Sequence, residues 1–330
     1  MDTPAIASRA AATRVERYRE AERALWTRYG LAPTERFIDV AAPSTRLRVL
    51  DVGFGEPVLF VHGLIGPDAW APLVRELRAF RCLVLDRPGW GLSTPVDYTG
   101  SSYASIVANV VGGVLDGLGL DRVNVVGASG GTLWAIRLAQ RLSERVGRIA
   151  LIGAGPVLAD MPVPGWLRML ASPLGAILVR APNTEDAVRS MLRQAGHGPS
   201  LDDGRIVDEL IAWRLSASSD TDAMRHERDM LRDGLVSWTT GRWRRGALLA
   251  DAELRAIAHP TLYVHGALDP IAPVEITKRV VDLLPCGELD VVDGGHEPWL
   301  EDASGVAESL TRFLTRIGGQ RGVWFHHIVD

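Results

Sequence analysis

The spacing of apolar and polar positions changes three times along this chain. Residues 8–29 repeat at helical spacing, with Val15, Tyr18, Leu25, Trp26 and Tyr29 near one face. Gly30 and Pro33 end that run. Residues 36–41 and 46–52 alternate apolar with polar across Ala42-Pro43-Ser44-Thr45. This predicts an antiparallel, partly exposed strand pair at a sheet edge. Short, continuously apolar runs then follow at 58–61, 83–85, 123–126, 149–152, 262–264 and 289–292, with helical or turn segments between them. Such runs predict a mostly parallel sheet covered by helices on both faces, an α/β fold.

The strand rhythm stops between residues 156 and 250. That segment opens with Pro156, Pro162 and Pro164 and holds Trp166, Trp213, Trp238 and Trp243. Met161, Met169, Met191, Met224 and Met230 lie there too. It reads as several helices without a strand, a helical cap set into the core. Its Met and Trp side chains would form an adaptable apolar roof over a pocket. Strand rhythm resumes at Pro260, and helices at 274–284 and about 301–317 complete the core. The expected organisation is an N-terminal helical extension (1–35), a core (36–155 and 251–317), the cap (156–250) and a tail (318–330). The extension is expected to dock on its own core, with a second subunit as the alternative. The tail's Trp324, Phe325, His326 and His327 carry no partner pattern.

Composition narrows the function without naming it. The 330 residues are 47% hydrophobic and 23% charged, with a net charge of −4, which argues against a nucleic-acid binder. Lys278 is the only lysine, a bias from which no function follows. Cys82 and Cys286 are far apart and are expected as buried free thiols, as in a reducing compartment. No Cys/His cluster has metal-ligand spacing. No leader-like or membrane-spanning run is read, so a soluble, cytoplasmic protein is expected, with no membrane or nucleic-acid partner and either a monomer or a homodimer. A dinucleotide fold fails its first test, because His62-Gly63-Leu64-Ile65-Gly66 follows the first parallel strand in place of Gly-x-Gly-x-x-Gly.

The chemistry centres on Val125-Val126-Gly127-Ala128-Ser129-Gly130-Gly131-Thr132. An apolar strand runs into Gly-x-Ser-x-Gly, and Leu133, Ile136, Leu138 and Leu142 then follow a helical pattern. Strand, sharp turn and helix form the setting in which a serine is held out as a nucleophile. Gly127 and Gly131 would leave room where a Cβ collides with a neighbouring element. The Gly130 N–H, opening the helix, can point at a developing oxyanion. A serine hydroxyl needs a base, and His296, in a loop behind Gly294-Gly295, can reach it. Asp269, just past the strand ending at Val264-His265, is placed to hold that imidazole. Asp293 is a weaker candidate, being so near His296 in sequence.

With these stretches the chain resembles the α/β-hydrolase-fold family, in its form with a helical cap. The resemblance covers about residues 36–317 and rests on five segments in order. These are Val61-His62-Gly63, Asp86 to Ser93 (Asp-Arg-Pro-Gly-Trp-Gly-Leu-Ser), Gly127 to Gly131, Gly266-Ala267-Leu268-Asp269-Pro270-Ile271, and Gly295-His296-Glu297-Pro298-Trp299-Leu300-Glu301. The resemblance implies a Ser129–Asp269–His296 triad and an oxyanion hole from the backbone N–H groups of Leu64 and Gly130. The family's other acid position, after the sixth strand, reads Gly153-Ala154-Gly155 and has no carboxylate.

Asp86 reads as a turn organiser and His265 as a buried core residue. His62, Trp90, Trp134, Trp166 and Trp299 stand as candidate substrate contacts. A core role competes for the tryptophans and a structural one for His62. Arg87, Arg242, Arg244 and Arg245 are possible carboxylate binders.

The expected activity is acyl transfer to water on a small, largely apolar substrate, with no metal or organic cofactor. Carboxylesterase is the first choice. A lactonase, a carbon–carbon bond hydrolase or a cofactor-free haloperoxidase would use the same triad. A small-molecule sensor with little turnover is the reading from a different class. Serine at the elbow argues against the aspartate-bearing haloalkane dehalogenases and epoxide hydrolases.

Overall fold

The computed structural model describes residues 3–316 except 154 and 156, with side chains from residue 11 onward. Trp324, Phe325, His326 and His327 of the tail lie outside the described residues. The strands are β1 (Thr34–Val40), β2 (Thr45–Gly53), β3 (Glu56–Val61), β4 (Phe80–Leu85), β5 (Val123–Ala128), β6 (Val146–Ile152), β7 (Val236–Ser237), β8 (Arg242–Trp243), β9 (Thr261–Gly266) and β10 (Gly287–Val292). Among the described residues β1–β6, β9 and β10 form one sheet in the order β1-β2-β4-β3-β5-β6-β9-β10. β2 is antiparallel to β1 and β4, and the remaining pairs are parallel.

Period-two alternation hidden inside the apolar runs sorts side chains to the two faces. Leu59, Val61, Leu83, Leu85 and Val125 pack on one face. Val58, Phe60, Cys82, Val84 and Val126 pack on the other. The helices are α1 (Thr3–Arg28), α2 (Ala71–Glu76), α3 (Tyr103–Gly117), α4 (Gly130–Arg141), α5 (Gly165–Ala171), α6 (Pro173–Leu178), α7 (Glu185–Leu192), α8 (Gly198–Asp202), α9 (Asp208–Ser219), α10 (Ala223–Met230), α11 (Asp251–Arg255), α12 (Val274–Leu283) and α13 (Ala303–Leu314). Helices α5–α10 fall between β6 and α11, the helix that leads into β9. That insertion also contains a short hairpin, β7 with β8, which a purely helical reading missed because two-residue strands leave no periodic trace.

The extension α1 lies along α9 and beside the turn at 67–70. Tyr18, Leu25 and Trp26 are buried as expected, whereas Val15 faces solvent. Tyr18 Oη donates to Asp68 at 3.2 Å, and Trp26 Nε1 donates to the same carboxylate. Burial pushes the Asp68 carboxyl well above the ordinary range. Arg17 Nε reaches Asp220, just past α9, at 3.0 Å. One helix thus ties the loop after β3 to the insertion. Both cysteines are free, but Cys286 is exposed, standing at the turn before β10 where a buried thiol was expected. No helix of the described residues is long and apolar enough to cross a membrane.

Candidate active site

Ser129 sits between β5 and α4 at φ 50°, ψ −118°, the one positive φ at a non-glycine among the described residues. That conformation costs on the order of 1–3 kcal/mol and persists only where neighbours hold it. Its N–H is bonded to Ile152 O at 2.9 Å, and its carbonyl accepts from Thr132 Oγ1 at 2.6 Å. A Cβ on Gly131 would run into the carbonyl oxygen of Val61, and one on Gly127 into that of Gly131. The flanking glycines are therefore steric requirements of the turn. Gly130 opens α4, whose N-terminus favours negative charge beside Ser129 Oγ.

The loop after β10 brings in His296, whose Nε2 accepts from Ser129 Oγ at 2.8 Å. On the other side of the ring, Nδ1 donates to Asp269 Oδ2 at 2.8 Å. Asp269 lies three residues past β9, and its Oδ1 accepts from the Ile271 N–H at 2.8 Å. The three sequence-selected residues thus form one hydrogen-bonded chain. Burial opposes charge on the imidazole, but the carboxylates of Glu297 and Asp269 outweigh it and raise the His296 pKa. Asp293 is exposed and takes no part. Gly153 abuts the imidazole, 3.3 Å from Nδ1 to where a Cβ would stand.

The loop after β3 passes beside the elbow. A Cβ on Gly63 would fall 2.6 Å from Ser129 Cβ and 3.1 Å from Gly130 N. Leu64, next in line, is partly exposed there. His62 is wholly buried, with Nδ1 donating to Gly63 O at 2.7 Å and Nε2 accepting from Arg87 N at 3.2 Å. Both ring nitrogens hold the loop, which corrects the candidate role of His62 as a substrate contact. Burial and the nearby Arg87 guanidinium push its pKa well below the ordinary value, so it works as a neutral strut.

Arg87 belongs to the Asp86 turn. It is buried, and its Nη2 donates to Glu227 at 2.9 Å and to Gly63 O at 3.1 Å. Trp90 Nε1 donates to the same Glu227 oxygen at 2.7 Å. Among the arginines flagged as possible carboxylate binders, Arg87 is thus already paired. Arg242, Arg244 and Arg245 are exposed. Trp299 stacks on Trp70 at 4.3 Å and donates to Ala69 O, a core position, and Trp134 is buried against Tyr103. Trp166 is 46% exposed on α5. Trp299 and Trp134 are corrected to core positions by the contacts they make, each about 1% exposed. His265 is the buried core residue expected, bonded to Thr277 Oγ1 at 3.0 Å.

Arg214, on α9, was not selected from sequence. It is 4% exposed, yet Nε and Nη1 have no hydrogen-bond partner among the described residues. Nη2 meets only the sulfurs of Met191 and Met224, at 3.8 and 3.9 Å. The guanidinium lies 5.5 Å over the Trp90 ring, which itself meets His62 edge-on at 4.9 Å. Its neighbour Trp213 covers Gly66 of the loop after β3. Burial lowers the Arg214 pKa to about 10, only partly offset by Glu297 and Glu227. A buried cation without a direct carboxylate partner costs several kcal/mol. The arrangement is therefore a ready receptor for an anion. Among the described residues no cluster of His, Cys, Asp and Glu is arranged to hold a metal.

A sequence model of the alpha/beta hydrolase fold matches residues 56–303, and the chain belongs to that family. It is 32% identical over 298 residues to a 2-hydroxy-6-oxononadienedioate/2-hydroxy-6-oxononatrienedioate hydrolase of Paraburkholderia phymatum, covering 86% of this chain and 96% of that protein. It is 29% identical over 285 residues to a 2-hydroxy-6-oxo-2,4-heptadienoate hydrolase of Pseudomonas putida, covering 83% and 95%. Among solved structures, the naproxen esterase of Bacillus subtilis superposes with a TM-score of 0.71 at 20% identity, covering 91% of this chain and 97% of that one. A meta-cleavage product hydrolase of Pseudomonas fluorescens gives 0.67 at 23% identity, covering 84% and 97%. At these identities the structural likeness speaks for the fold alone.

Proposed function

We propose that this alpha/beta hydrolase cleaves a carbon–carbon bond beside a ketone in a small carboxylic acid of the 2-hydroxy-6-oxo-dienoate type. Ser129 is the nucleophile, His296 the base, Asp269 its orienting acid, and Leu64 and Gly130 the oxyanion donors. The observation that carries the reading is the buried Arg214 guanidinium, to which no carboxylate is hydrogen-bonded among the described residues. The printed names of the relatives supply the substrate class.

Ser129 Oγ adds to the ketone carbon while His296 Nε2 takes its proton. The tetrahedral oxyanion sits against the Leu64 and Gly130 N–H groups. Collapse must expel carbon, a far poorer leaving group than an ester oxygen. Cleavage therefore starts from the 2-keto tautomer, in which the proton of the 2-hydroxyl has moved to the carbon next to the 6-ketone, so that the departing electron pair spreads to the oxygen beside the carboxylate. A fixed cation at that remote end stabilises this charge, and Arg214 is such a cation. His296 gives the proton it took to the departing dienolate, and as a neutral base again it activates water to release the acyl group from Ser129. An ester needs no remote electron sink, so Arg214 favours the carbon–carbon reaction over the carboxylesterase expected from the motifs alone.

The test compares a synthetic 2-hydroxy-6-oxo-dienoate with a p-nitrophenyl ester of the same acyl group, using native protein and Ser129→Ala. The expected result is higher kcat/KM on the keto acid, lost in the variant. Turnover of the ester alone would return the assignment to carboxylesterase. No turnover, together with no fluorophosphonate labelling of folded native protein, would favour a ligand sensor.

A further inference from the structure

Glu297 follows His296 directly, and the triad does not use it. It is 5% exposed, and Oε1 stands 4.0 Å from His296 Nε2, the nitrogen facing Ser129. Its other oxygen accepts from His197 Nε2 at 3.0 Å. His197 belongs to the insertion, between α7 and α8, and is wholly buried. Its Nδ1 lies 3.3 Å from Glu301 Oε1. Burial opposes charge on this ring, yet the two carboxylates raise its pKa to about 9. At neutral pH the cluster is therefore carboxylate, imidazolium, carboxylate.

The same stretch of the insertion rests on both triad loops. Ala195 O accepts from His296 N at 2.8 Å. Gly196 takes φ 91°, and a Cβ there would fall 2.6 Å from Leu268 O and 3.1 Å from both Gly295 Cα and Pro270 Cδ. A cluster that only pinned the insertion would have no need to leave a carboxylate oxygen over Nε2. An anion there favours the imidazolium that forms when Ser129 loses its proton.

We propose that Glu297 is a positioning residue that raises the basicity of His296, and that His197, supplied by the insertion, tempers it. This rests on reading Ser129 and His296 as nucleophile and base. The groups facing His296 are Asp269 from the loop after β9, Ser129 from the elbow, Glu297 from its own loop, His197 from the insertion and His265 from β9. Arg214 faces Glu297 from α9. Asp269 and Glu297 raise the His296 pKa, and His197 lowers it.

The experiment follows the rate of fluorophosphonate labelling of the full-length protein against pH, with Ser129→Ala as the blank. Labelling needs neutral His296, so its rate rises through the pKa of that group. Glu297→Gln removes the anion and is expected to move the acid midpoint down by about one pH unit. His197→Gln removes the neighbouring cation and is expected to move it up. Opposite shifts are what a merely structural cluster would not produce. Midpoints that stay put, or move the same way in whichever variants fold as judged by melting, overturn the proposal. If one variant fails to fold, the sign of the other decides. A native protein that does not label at any pH removes the nucleophile reading and this proposal together. Labelling with unmoved midpoints removes this proposal alone.

Discussion

Arg48 Nε donates to Asp86 Oδ2 at 2.6 Å, and neither side chain has any exposure to solvent. Arg48 is on β2 and is also paired with Glu22 of α1. Asp86 accepts from the Leu92 N–H at 3.0 Å, so its carboxylate closes the turn that carries Arg87 and Trp90 toward the insertion. Removing one partner of a buried pair costs about 3–5 kcal/mol. Because Glu22 and Glu35 remain beside Arg48, Asp86→Asn is expected near the lower figure, a melting temperature lower by roughly 4 °C for a chain of this length. A melt within a degree of the native one would show that Glu22 and Glu35 satisfy Arg48 without Asp86.

The parts of this fold that are local patterns were legible in the chain. Continuous apolar runs placed the parallel strands, alternation placed β1 and β2, and Gly127-x-Ser129-x-Gly131 placed the elbow. His296 and Asp269 were found because each follows a strand in a glycine- or proline-marked loop. Arg214 was missed because its burial is non-local, created where α9 meets Met191 of α7, Met224 of α10 and the Trp90 ring. A signal was present. Leu210, Ile211, Trp213 and Ala217 define the buried face of α9, and Arg214 falls on it. His62 and Trp299 were harder, since only packing shows that a ring beside a catalytic loop has its nitrogens already engaged.

Arg214 should separate substrate recognition from stability. Arg214→Met removes the guanidinium and leaves an apolar chain between Met191 and Met224. KM for a keto acid is expected to rise about 100-fold, the scale on which losing a desolvated charge partner acts. In KM the methyl ester of the same keto acid should lose little, while kcat should fall for both, because Arg214 also meets the charge that develops in cleavage. The melting temperature should rise, since an unpaired buried cation is removed. Equal KM effects on acid and methyl ester would mean that the carboxylate does not meet Arg214.

The elbow makes a contrast between adjacent glycines. A Cβ on Gly131 would collide with Val61 O and fall 3.0 Å from His62 O, both carbonyls of the loop that opens the oxyanion site. A Cβ on Gly130 would meet nothing nearer than Gly63 Cα at 3.9 Å. Gly131→Ala is therefore expected to cost about 1–3 kcal/mol of stability and most of the fluorophosphonate labelling. Gly130→Ala should keep both within about twofold, since its N–H is retained. Equal damage from both substitutions would place the steric limit somewhere other than the Val61 carbonyl.

The His197 cluster also ties stability to pH, and the sign follows from its raised pKa. In the unfolded chain the imidazole titrates near 6.5, and in the fold near 9. The native state therefore binds the proton more tightly, and the resulting stability is fully present below about pH 6.5. It is lost as pH rises toward 9, at most about 3 kcal/mol over that window at 1.36 kcal/mol per unit. The lowered pKa values of Glu297 and Glu301 express the same coupling and are not added to it. Denaturant unfolding of the native protein should show stability falling between pH 7 and 9. His197→Gln, less stable at pH 6.5, should lose that slope and converge on the native curve near pH 9. A variant with the native slope would mean that other groups carry the alkaline loss, and that His197 is not held as an imidazolium between its two carboxylates.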